Sequence, residues 1–270
     1  MKAIGSRDNL AYKRMARLYT SGQVRRAEGM SLLDGAHLVD AYLGSGREIA
    51  EIAVNAAGLG DAEIAGLVQR ASPAKVTLLS DPLFKSISTV DSPTGIVAFV
   101  KTPGAAMPPV DAPLVLALED IQDPGNVGTL LRSAAAAGAS HVVLSARCAF
   151  AWSPKVLRAA MGAHFAVGIA EGVDLAAFAK AFRGTVIALS GASSRSLYDL
   201  DLRGPCAIFV GNEGSGLSAE LEAAAQLRVR IPMPGRVESL NAAVAGSLAL
   251  FECVRQRVVS KALILQPKKK

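Results

Sequence analysis

The 270-residue chain is long enough for one large domain or two modest ones, and its 51% hydrophobic and 19% charged residues exclude global disorder. The net charge of +6 indicates an anionic partner, with nucleic acid as the first candidate. Three widely spaced cysteines and three unclustered histidines argue against a disulfide framework and a metal site. The sequence shows neither a secretory signal pattern nor an apolar stretch of membrane-spanning length, so we expect a cytoplasmic protein.

The first hundred residues alternate short helices and strands. Apolar periodicity predicts helices over residues 9–19, 37–43 and 62–69, and strands over 30–33, 49–54, 76–79 and 95–100. This alternation indicates a small α/β domain over residues 1–101. A basic cluster lies on the first helix and shortly after it, formed by Lys13, Arg14, Arg17, Arg25 and Arg26. Such a cluster either faces solvent or binds an anion.

A break in composition separates this part from the rest. Residues 102–113 contain four prolines and one glycine, which are incompatible with a central strand or a helix interior. We therefore place a linker over residues 102–112, a second domain over 113–260, and a basic tail over 261–270 that ends in three lysines. Strands are predicted over 114–118, 141–144, 165–169, 185–189, 206–210 and 227–231, and helices over 127–137, 154–161, 175–182 and 240–258. The pattern predicts a parallel sheet covered on both faces.

The first of three polar loops in the second domain spans residues 118–132, LEDIQDPGNVGTLLR. A turn follows the strand, and Arg132 lies on the first turns of the next helix. Asn126 could simply cap that helix. The alternative is a functional loop at the carboxyl end of a strand, where open α/β sheets bind their ligands.

The other two loops have the same character. Residues 209–217, FVGNEGSGL, hold three glycines within six residues around Glu213, which suits close contact between backbone and ligand. Residues 231–243, IPMPGRVESLNAA, bring Glu238, Ser239 and Asn241 to the start of an alanine-rich helix. Ser239 could cap that helix, or it could belong to a site.

Together the three loops resemble the three motifs of the SpoU-type 2′-O-ribose methyltransferases of the SPOUT superfamily. The matching segments are DPGNVGTLLRSAAAAG at 123–138, FVGNEGSGLS at 209–218 and IPMPGRVESLNAAVAG at 231–246. Residues 153–165, SPKVLRAAMGAHF, are similar to a stretch that the family carries between the first two motifs, and residues 4–100 are similar to its N-terminal substrate-binding domain. Ala242 and Ala243 stand where the family more often has valine and serine.

The resemblance implies a C-terminal domain with a deep trefoil knot, formed by the second and third motifs, and a homodimer in which the first motif of one subunit lies near the cofactor of the other. The apolar last helix suits such an interface, and burial in a monomeric core explains it equally well. The implied cofactor is S-adenosylmethionine. Its expected contacts, largely through backbone groups, are Leu189, Ser190, Gly191, Gly211, Asn212, Gly216, Ile231, Met233, Leu240 and Ala243.

The resemblance also assigns roles in catalysis. Arg132 is the residue to which the family usually gives the proton-accepting role, although an arginine normally stays protonated and could instead stabilise the alkoxide or position a phosphate. Asn126 would hold the first loop, Glu213 would orient Arg132 or the ribose, and Ser239 and Asn241 would complete the pocket. The N-terminal basic cluster would contact phosphates of an RNA, either rRNA, which the two-domain layout favours, or tRNA.

Three other functions fit the residues less well. A non-catalytic RNA-binding protein would be expected to lack one of the motif side chains, and all are present. A dinucleotide-dependent oxidoreductase requires GxGxxG after a strand, but Glu213 occupies the position of the second glycine in residues 211–216. Methylation of a base in place of a ribose remains open, with the motif around Arg132 favouring ribose.

Overall fold

The computed structural model describes residues 1–88 and 93–265, with the backbone alone over 260–265. Within this range the chain divides into two compact units. The first contains Met1–Gly104 together with Trp152–Phe165, and the second contains Ala105–Ala151 together with the chain from Ala166 onward. The three terminal lysines of the expected basic tail lie outside the described residues.

The first unit is built on a mixed five-stranded sheet with the strand order β1-β4-β3-β5-β2, in which β5 is antiparallel to both of its neighbours. Its strands are β1 (Lys2–Ile4), β2 (Met30–Asp34), β3 (Glu51–Val54), β4 (Lys75–Leu79) and β5 (Ile96–Lys101). Its helices are α1 (Leu10–Thr20), α2 (Gly22–Glu28), α3 (Ala36–Gly44), α4 (Ala56–Gly60), α5 (Ala62–Arg70) and α6 (Asp81–Lys85). Strand β1 and the short helices α2, α4 and α6 were not anticipated, because each offers too few residues to show a period.

Helix α1 illustrates how local sequence sets an element of the first unit. The Asn9 side chain accepts a hydrogen bond from the Ala11 N–H and begins the helix, as expected of an N-cap asparagine. Tyr12, Met15 and Leu18 recur at intervals of three residues and are buried on one face, against the sheet. The basic side chains between them are left on the opposite face.

The second unit contains a six-stranded parallel sheet with the order β11-β9-β10-β6-β7-β8. From residue 105 on, the elements are β6 (Leu114–Leu118), α7 (Pro124–Ala136), β7 (His141–Leu144), α8 (Pro154–Ala160), β8 (Gly168–Ala170), α9 (Leu175–Ala181), β9 (Thr185–Leu189), β10 (Cys206–Val210), α10 (Ala219–Ala224), β11 (Leu227–Val229) and α11 (Ala242–Leu265). The central strands β6 and β10 are buried at every position, which explains why they read as continuous apolar runs. The predicted parallel sheet is confirmed.

Several predicted boundaries in this unit are wrong, and helix α7 begins at Pro124, three residues before the predicted start. The strand expected over 165–169 starts only at Gly168, since Ala163–Phe165 forms a 3₁₀ turn and pairing with β7 begins opposite His141. The strand expected over 227–231 ends at Val229. The last helix begins at Ala242 and continues to Leu265, beyond the predicted 240–258.

The segment around α8 is a further correction. We expected residues 153–165 in the second domain, but Trp152–Phe165 groups with the first unit, where α8 packs against β2. Its aromatic residues explain this, because the Phe165 ring meets the Tyr42 ring edge-on at 5.2 Å between centroids. The chain between β5 and β6, which holds the expected linker, contains neither helix nor strand.

Candidate functional site

The strands β6, β9, β10 and β11 are parallel, so their carboxyl ends meet at one edge of the second unit's sheet. A cavity of about 400 Å³ opens there, within the roughly 300–1,000 Å³ typical of small-molecule sites. Its walls come from the segments that follow β9, β10 and β11, over residues 189–192, 210–217 and 229–240, and from the start of α11. Two of the three predicted loops therefore line one cavity, which we call the edge pocket.

The loop after β10 has a fixed backbone shape. Asn212 and Gly216 exchange both of their backbone hydrogen bonds, at 3.1 and 2.9 Å, and close a tight turn. The Asn212 Oδ1 accepts from the N–H groups of Gly214 and Ser215 inside that turn. A Cβ on Gly211 would lie 2.2 Å from the carbonyl carbon of Gly216, so this approach of two backbone segments requires glycine. The glycines predicted for close contact thus build the wall of the edge pocket.

The polar residues of all three loops are joined by one chain of hydrogen bonds. The Asn126 Nδ2 donates to the Glu213 Oε1 at 2.8 Å, and the Asn241 Nδ2 donates to the Asn126 Oδ1 at 3.0 Å. These residues are 87 and 115 positions apart in sequence. Asn126 therefore connects the second motif to the third.

The two capping predictions are corrected by this arrangement. Asp123, not Asn126, begins α7, accepting from the Asn126 N–H at 2.8 Å, with Pro124 in the first turn. Asn241, not Ser239, caps α11, because its Oδ1 accepts from the N–H groups of Ala243 and Val244. The side chains of Asn126 and Ser239 are thereby available for other contacts.

Asp120 supports the same edge and was missed in the sequence. It has a φ of +55°, which is uncommon for a residue other than glycine. In this conformation its carbonyl accepts from the Asn212 Nδ2 at 2.9 Å, while its carboxylate accepts from the Ser145 hydroxyl at 2.6 Å and from Arg147. Burial raises the pKa of the Asp120 carboxyl, but the hydrogen bonds from Ser145 and Arg147 outweigh it and hold the pKa below its ordinary value. The feature that marks Asp120 is its left-handed backbone conformation just after strand β6, which the sequence alone does not display.

Most of the predicted cofactor contacts line the edge pocket, namely Leu189, Ser190, Gly191, Gly211, Asn212, Gly216, Ile231, Met233 and Leu240. Glu213 and Ser239 line it as well. Ala243 does not. It is buried, with its surface turned to a separate groove on α11. Glu238 of the third loop lines the edge pocket too, and unpredicted lining residues include Glu222 and Arg230.

Arg132 lies apart from the edge pocket. It is exposed on α7, does not line the cavity, and within the described residues its side chain has no hydrogen bond or ion pair. The structure thus brings Asn126, Glu213, Ser239 and Asn241 to one place and leaves Arg132 outside it.

The N-terminal basic cluster is partly occupied by internal contacts. Arg25 is only 7% exposed, and its Nη1 donates to the carbonyls of Leu18 and Tyr19 at 2.7 and 2.8 Å. Arg14 pairs with Glu28 and Glu51, and Lys13 pairs with Asp8. Arg17 and Arg26 are exposed. Arg25 is therefore corrected from a candidate RNA contact to a residue that closes the end of α1.

The part of the chain that the structure describes contains neither a metal-binding cluster nor a helix that could span a membrane. Over residues 1–88 and 93–265, no group of three or more histidine, cysteine or acidic side chains is arranged to hold a metal ion. Over the same residues, no helix combines the length and the apolar character needed to cross a membrane.

A parallel α/β sheet with a pocket of glycine-rich loops at its carboxyl edge defines a class, an α/β enzyme that binds a small cofactor. Residues 113–251 match the sequence model of the SpoU rRNA Methylase family, and the chain belongs to that family. The family predicted from the three motifs is thereby confirmed. So is the class of enzyme, an RNA 2′-O-methyltransferase that uses S-adenosylmethionine.

Relatives match along nearly the whole chain. The protein is 32% identical to a Synechocystis tRNA/rRNA methyltransferase, over 94% of each chain. It is 30% identical to the Bacillus subtilis 23S rRNA (guanosine(2553)-2′-O)-methyltransferase RlmP, over 93% of this chain and 98% of that one. The crystal structure of an AdoMet-bound rRNA methyltransferase from Sinorhizobium meliloti is similar with a TM-score of 0.82 at 28% identity, covering 94% of this chain and 97% of that one.

Proposed function

We propose that this protein methylates a ribose 2′-hydroxyl of ribosomal RNA, with its edge pocket holding S-adenosylmethionine. The observation that carries the proposal is the hydrogen-bonded chain Glu213–Asn126–Asn241, which ties the three motifs together beside the pocket. The substrate class rests on the relatives named for 23S rRNA, and tRNA is the alternative. An rRNA substrate would place the enzyme in the cytoplasm.

The residues of the edge pocket fit this cofactor. The pocket is lined by loop segments rich in glycine, whose N–H and C=O groups would suit recognition of an adenosine. Three carboxylates, those of Glu213, Glu222 and Glu238, line the cavity, and negative side chains favour a positively charged sulfonium. When bound, S-adenosylmethionine supplies an electrophilic methyl group, whose transfer to the ribose oxygen breaks the carbon–sulfur bond and leaves a neutral thioether.

The chain's own residues must align the ribose and promote removal of the proton from its 2′-hydroxyl. A guanidinium has five donors and no acceptor, so we assign Arg132 to the stabilisation of the developing alkoxide, or to the positioning of an RNA phosphate that takes the proton. Asn126 and Asn241 would hold the first and third motifs in place, and Glu213 and Ser239 would contact the substrate from the pocket wall.

Arg132 can serve the pocket only if another copy of the chain brings it there, and we propose a homodimer for this reason. Helix α11 carries an exposed apolar stripe of Val244, Leu248, Phe251 and Val258, which are 47%, 39%, 47% and 60% exposed. Their spacing places them on one face of the helix, and such stripes mark protein interfaces. Thr129 of α7 lines the same groove as Val244, and Arg132 lies one turn further along α7. Pairing through this stripe would bring Arg132 towards the partner subunit's pocket.

The trefoil knot is proposed on the same family grounds. Helix α11 packs against α7 and β10 and closes on the loop after β10. A Cβ on Gly246 of α11 would lie 2.5 Å from the Leu130 side chain of α7, so the two helices pack closely. This close fit of the C-terminal helix against earlier elements is what a chain threaded through its own loops requires.

The first unit would bind the RNA. The domain limits 1–101, 102–112 and 113–260 are kept as proposed, apart from Trp152–Phe165, which groups with the first unit. The exposed side chains of the basic cluster suit phosphates. Arg17 and Arg26 are exposed, and Lys13 and Arg14 can exchange their surface ion pairs for phosphate. Arg25 is left out of this surface.

The proposal is tested with labelled S-adenosylmethionine and unmodified in-vitro transcripts of 23S and 16S rRNA and of tRNA. Wild type should label 23S rRNA at a ribose 2′-oxygen, located by nuclease mapping. R132A should lose at least ~100-fold in rate, as expected when a donor to a transition-state oxyanion is removed, with cofactor binding retained. R183A, which removes an exposed arginine before β9, is the matched control and should keep full activity. Absence of label on every RNA would overturn the proposed function, and label on tRNA alone would overturn the substrate class.

A further inference from the structure

An exposed row of arginines lies on and directly after the edge strand β11, beside the edge pocket. Arg228 belongs to the strand and Arg230 follows its last residue, and the extended backbone leaves both exposed with Val229 buried between them. Arg195 joins them from the loop after β9, because the Arg230 N–H donates to the Arg195 carbonyl at 2.9 Å. We call these three residues the arginine edge.

The arginine edge lacks the counter-charges that three other arginines of the second unit have. Arg147, Arg203 and Arg255 each form an ion pair with an aspartate or glutamate. Within the described residues, the side chains of Arg195, Arg228 and Arg230 have no ion pair and no hydrogen bond. Three neighbouring positive charges repel one another unless an anion joins them. Their arrangement therefore points to an external anionic partner.

A second cavity, of about 440 Å³, lies along the arginine edge. Its lining is mostly polar, comprising Ser190, Ala192, Ser193, Ser194, Arg195, Glu222, Gln226, Leu227 and Arg228. It shares Ser190, Ala192 and Glu222 with the edge pocket, and Arg230 lines the edge pocket itself. The two cavities are therefore neighbours, and anything bound in the second lies next to the cofactor. Glu222 is the one acidic side chain among its lining residues and forms no ion pair with these arginines.

The chemistry of the second cavity suits a phosphodiester. Guanidinium groups match phosphate oxygens with paired donors, and serine hydroxyls add further donors. An apolar ligand would find few partners there. We propose that the arginine edge binds the backbone phosphates of the RNA strand next to the methylated nucleotide, and so seats the acceptor ribose against the edge pocket. This inference rests on the proposed function and adds a strand-binding site on the catalytic unit, separate from the basic cluster of the first unit.

The test is the double variant R195Q/R228Q, which removes two charges and keeps side-chain length. The matched control is K180Q/R183Q, which removes two exposed charges at the amino edge of the same sheet. The probe is the in-vitro 23S rRNA transcript, with its Kd and KM measured from 50 to 200 mM salt. Cofactor affinity is measured by calorimetry without RNA, and the thermal midpoint checks the fold.

We expect R195Q/R228Q to raise the Kd and KM for RNA at least ~tenfold, as expected from the loss of two charge-assisted contacts. The slope of log Kd against log salt should fall by about 1.4–1.8, the value for two phosphate contacts. Cofactor affinity, kcat at saturating RNA and the thermal midpoint should match those of the control. An RNA affinity and salt slope equal to those of the control, with wild type active, would overturn the inference and leave the proposed function standing. A wild type that methylates no RNA would overturn both.

Discussion

Polar residues behave differently at the carboxyl edge of the second unit's sheet and in the helices α1 and α2 of the first unit. At the edge, Asn126, Glu213 and Asn241 bond to one another although they are far apart in sequence. In α1 and α2, the side chains of Lys13 and Arg25 bond to residues within a few positions. The edge polar groups thus hold distant loops in register, whereas Lys13 and Arg25 satisfy local structure, and within the basic cluster Arg14 reaches the distant Glu51. Substitutions at the edge should change activity, and buried ones in α1 and α2 should change stability.

The largest effect is expected at Gly211. G211A places a methyl group 2.2 Å from backbone that cannot move aside, and overpacking of this kind costs about 1–3 kcal/mol or more. We expect at least ~100-fold weaker binding of S-adenosylmethionine by calorimetry, from the loss of the pocket wall. The matched control is G235A, in the loop after β11, where a Cβ would have no neighbour within 4 Å. Equal affinities for the two variants would show that the loop after β10 does not shape the pocket.

The next largest effect is expected at Asn126. N126A removes the connection between Glu213 and Asn241 that holds the motifs in register, and a misplacement of ~1 Å in a catalytic site can lower the rate about 100-fold. The ratio kcat/KM for methyl transfer should fall roughly 10- to 100-fold, with the thermal midpoint little changed. E213Q keeps the acceptor oxygen and should lose less than E213A. A large drop in thermal midpoint with kcat/KM intact in the folded fraction would contradict the functional role of this chain of hydrogen bonds.

In the first unit we expect a smaller effect, and we expect it on stability in place of activity. R25A removes two donors from the end of α1 and should lower the free energy of unfolding by about 2–3 kcal/mol. R17A alters an exposed residue and should change it by less than about 0.5 kcal/mol while weakening RNA binding a few-fold. Urea unfolding measures the free energy of unfolding of each variant, and filter binding measures its affinity for RNA. The comparison between the regions fails if R25A keeps full stability and loses RNA binding.

The smallest effect concerns pH. Because the pKa of Asp120 in the folded protein lies below its value in the unfolded chain, its carboxylate stabilises the fold above the ordinary aspartate pKa, and this contribution disappears as the pH falls through the folded pKa. The thermal midpoint of D120N should therefore lie below that of wild type at pH 7, and the gap should narrow below about pH 4. A gap that is constant from pH 7 to pH 3 would exclude the carboxylate as its source.

The sequence predicted most of this fold because the second unit follows simple rules. Strands such as β6 and β10 are buried on both faces and so are continuously apolar, and the glycines between them mark the loops. The pocket residues were predicted from the resemblance to the family's motifs, and the structure supplies a physical reason for one of them, since glycine at Gly211 is required by backbone contact. The last helix was harder to delimit, because it is apolar on most of its faces.

Several features depended on contacts that no local pattern encodes. The contact of the Asn126 side chain with Glu213 is made by a chain segment 87 positions away, whereas the cap at Asp123 follows the local rule that proline favours the first helical turn. The placement of Trp152–Phe165 in the first unit depended on aromatic packing with Tyr42. Burial of Arg25 was hidden as well, since the adjacent Arg26 is basic and exposed.

The sequence by itself therefore determined the family, the parallel sheet and the residues that surround the edge pocket, because backbone conformation and apolar burial impose residue types locally. Only the tertiary structure decided which charged side chains have partners within the protein. It gave Arg14 and Lys13 acidic partners, enclosed Arg25, and left Arg195, Arg228 and Arg230 without partners in the described chain. The physical reason is that a charge is satisfied by whatever the folded chain brings within a few ångströms, and that neighbourhood exists only once distant segments have packed.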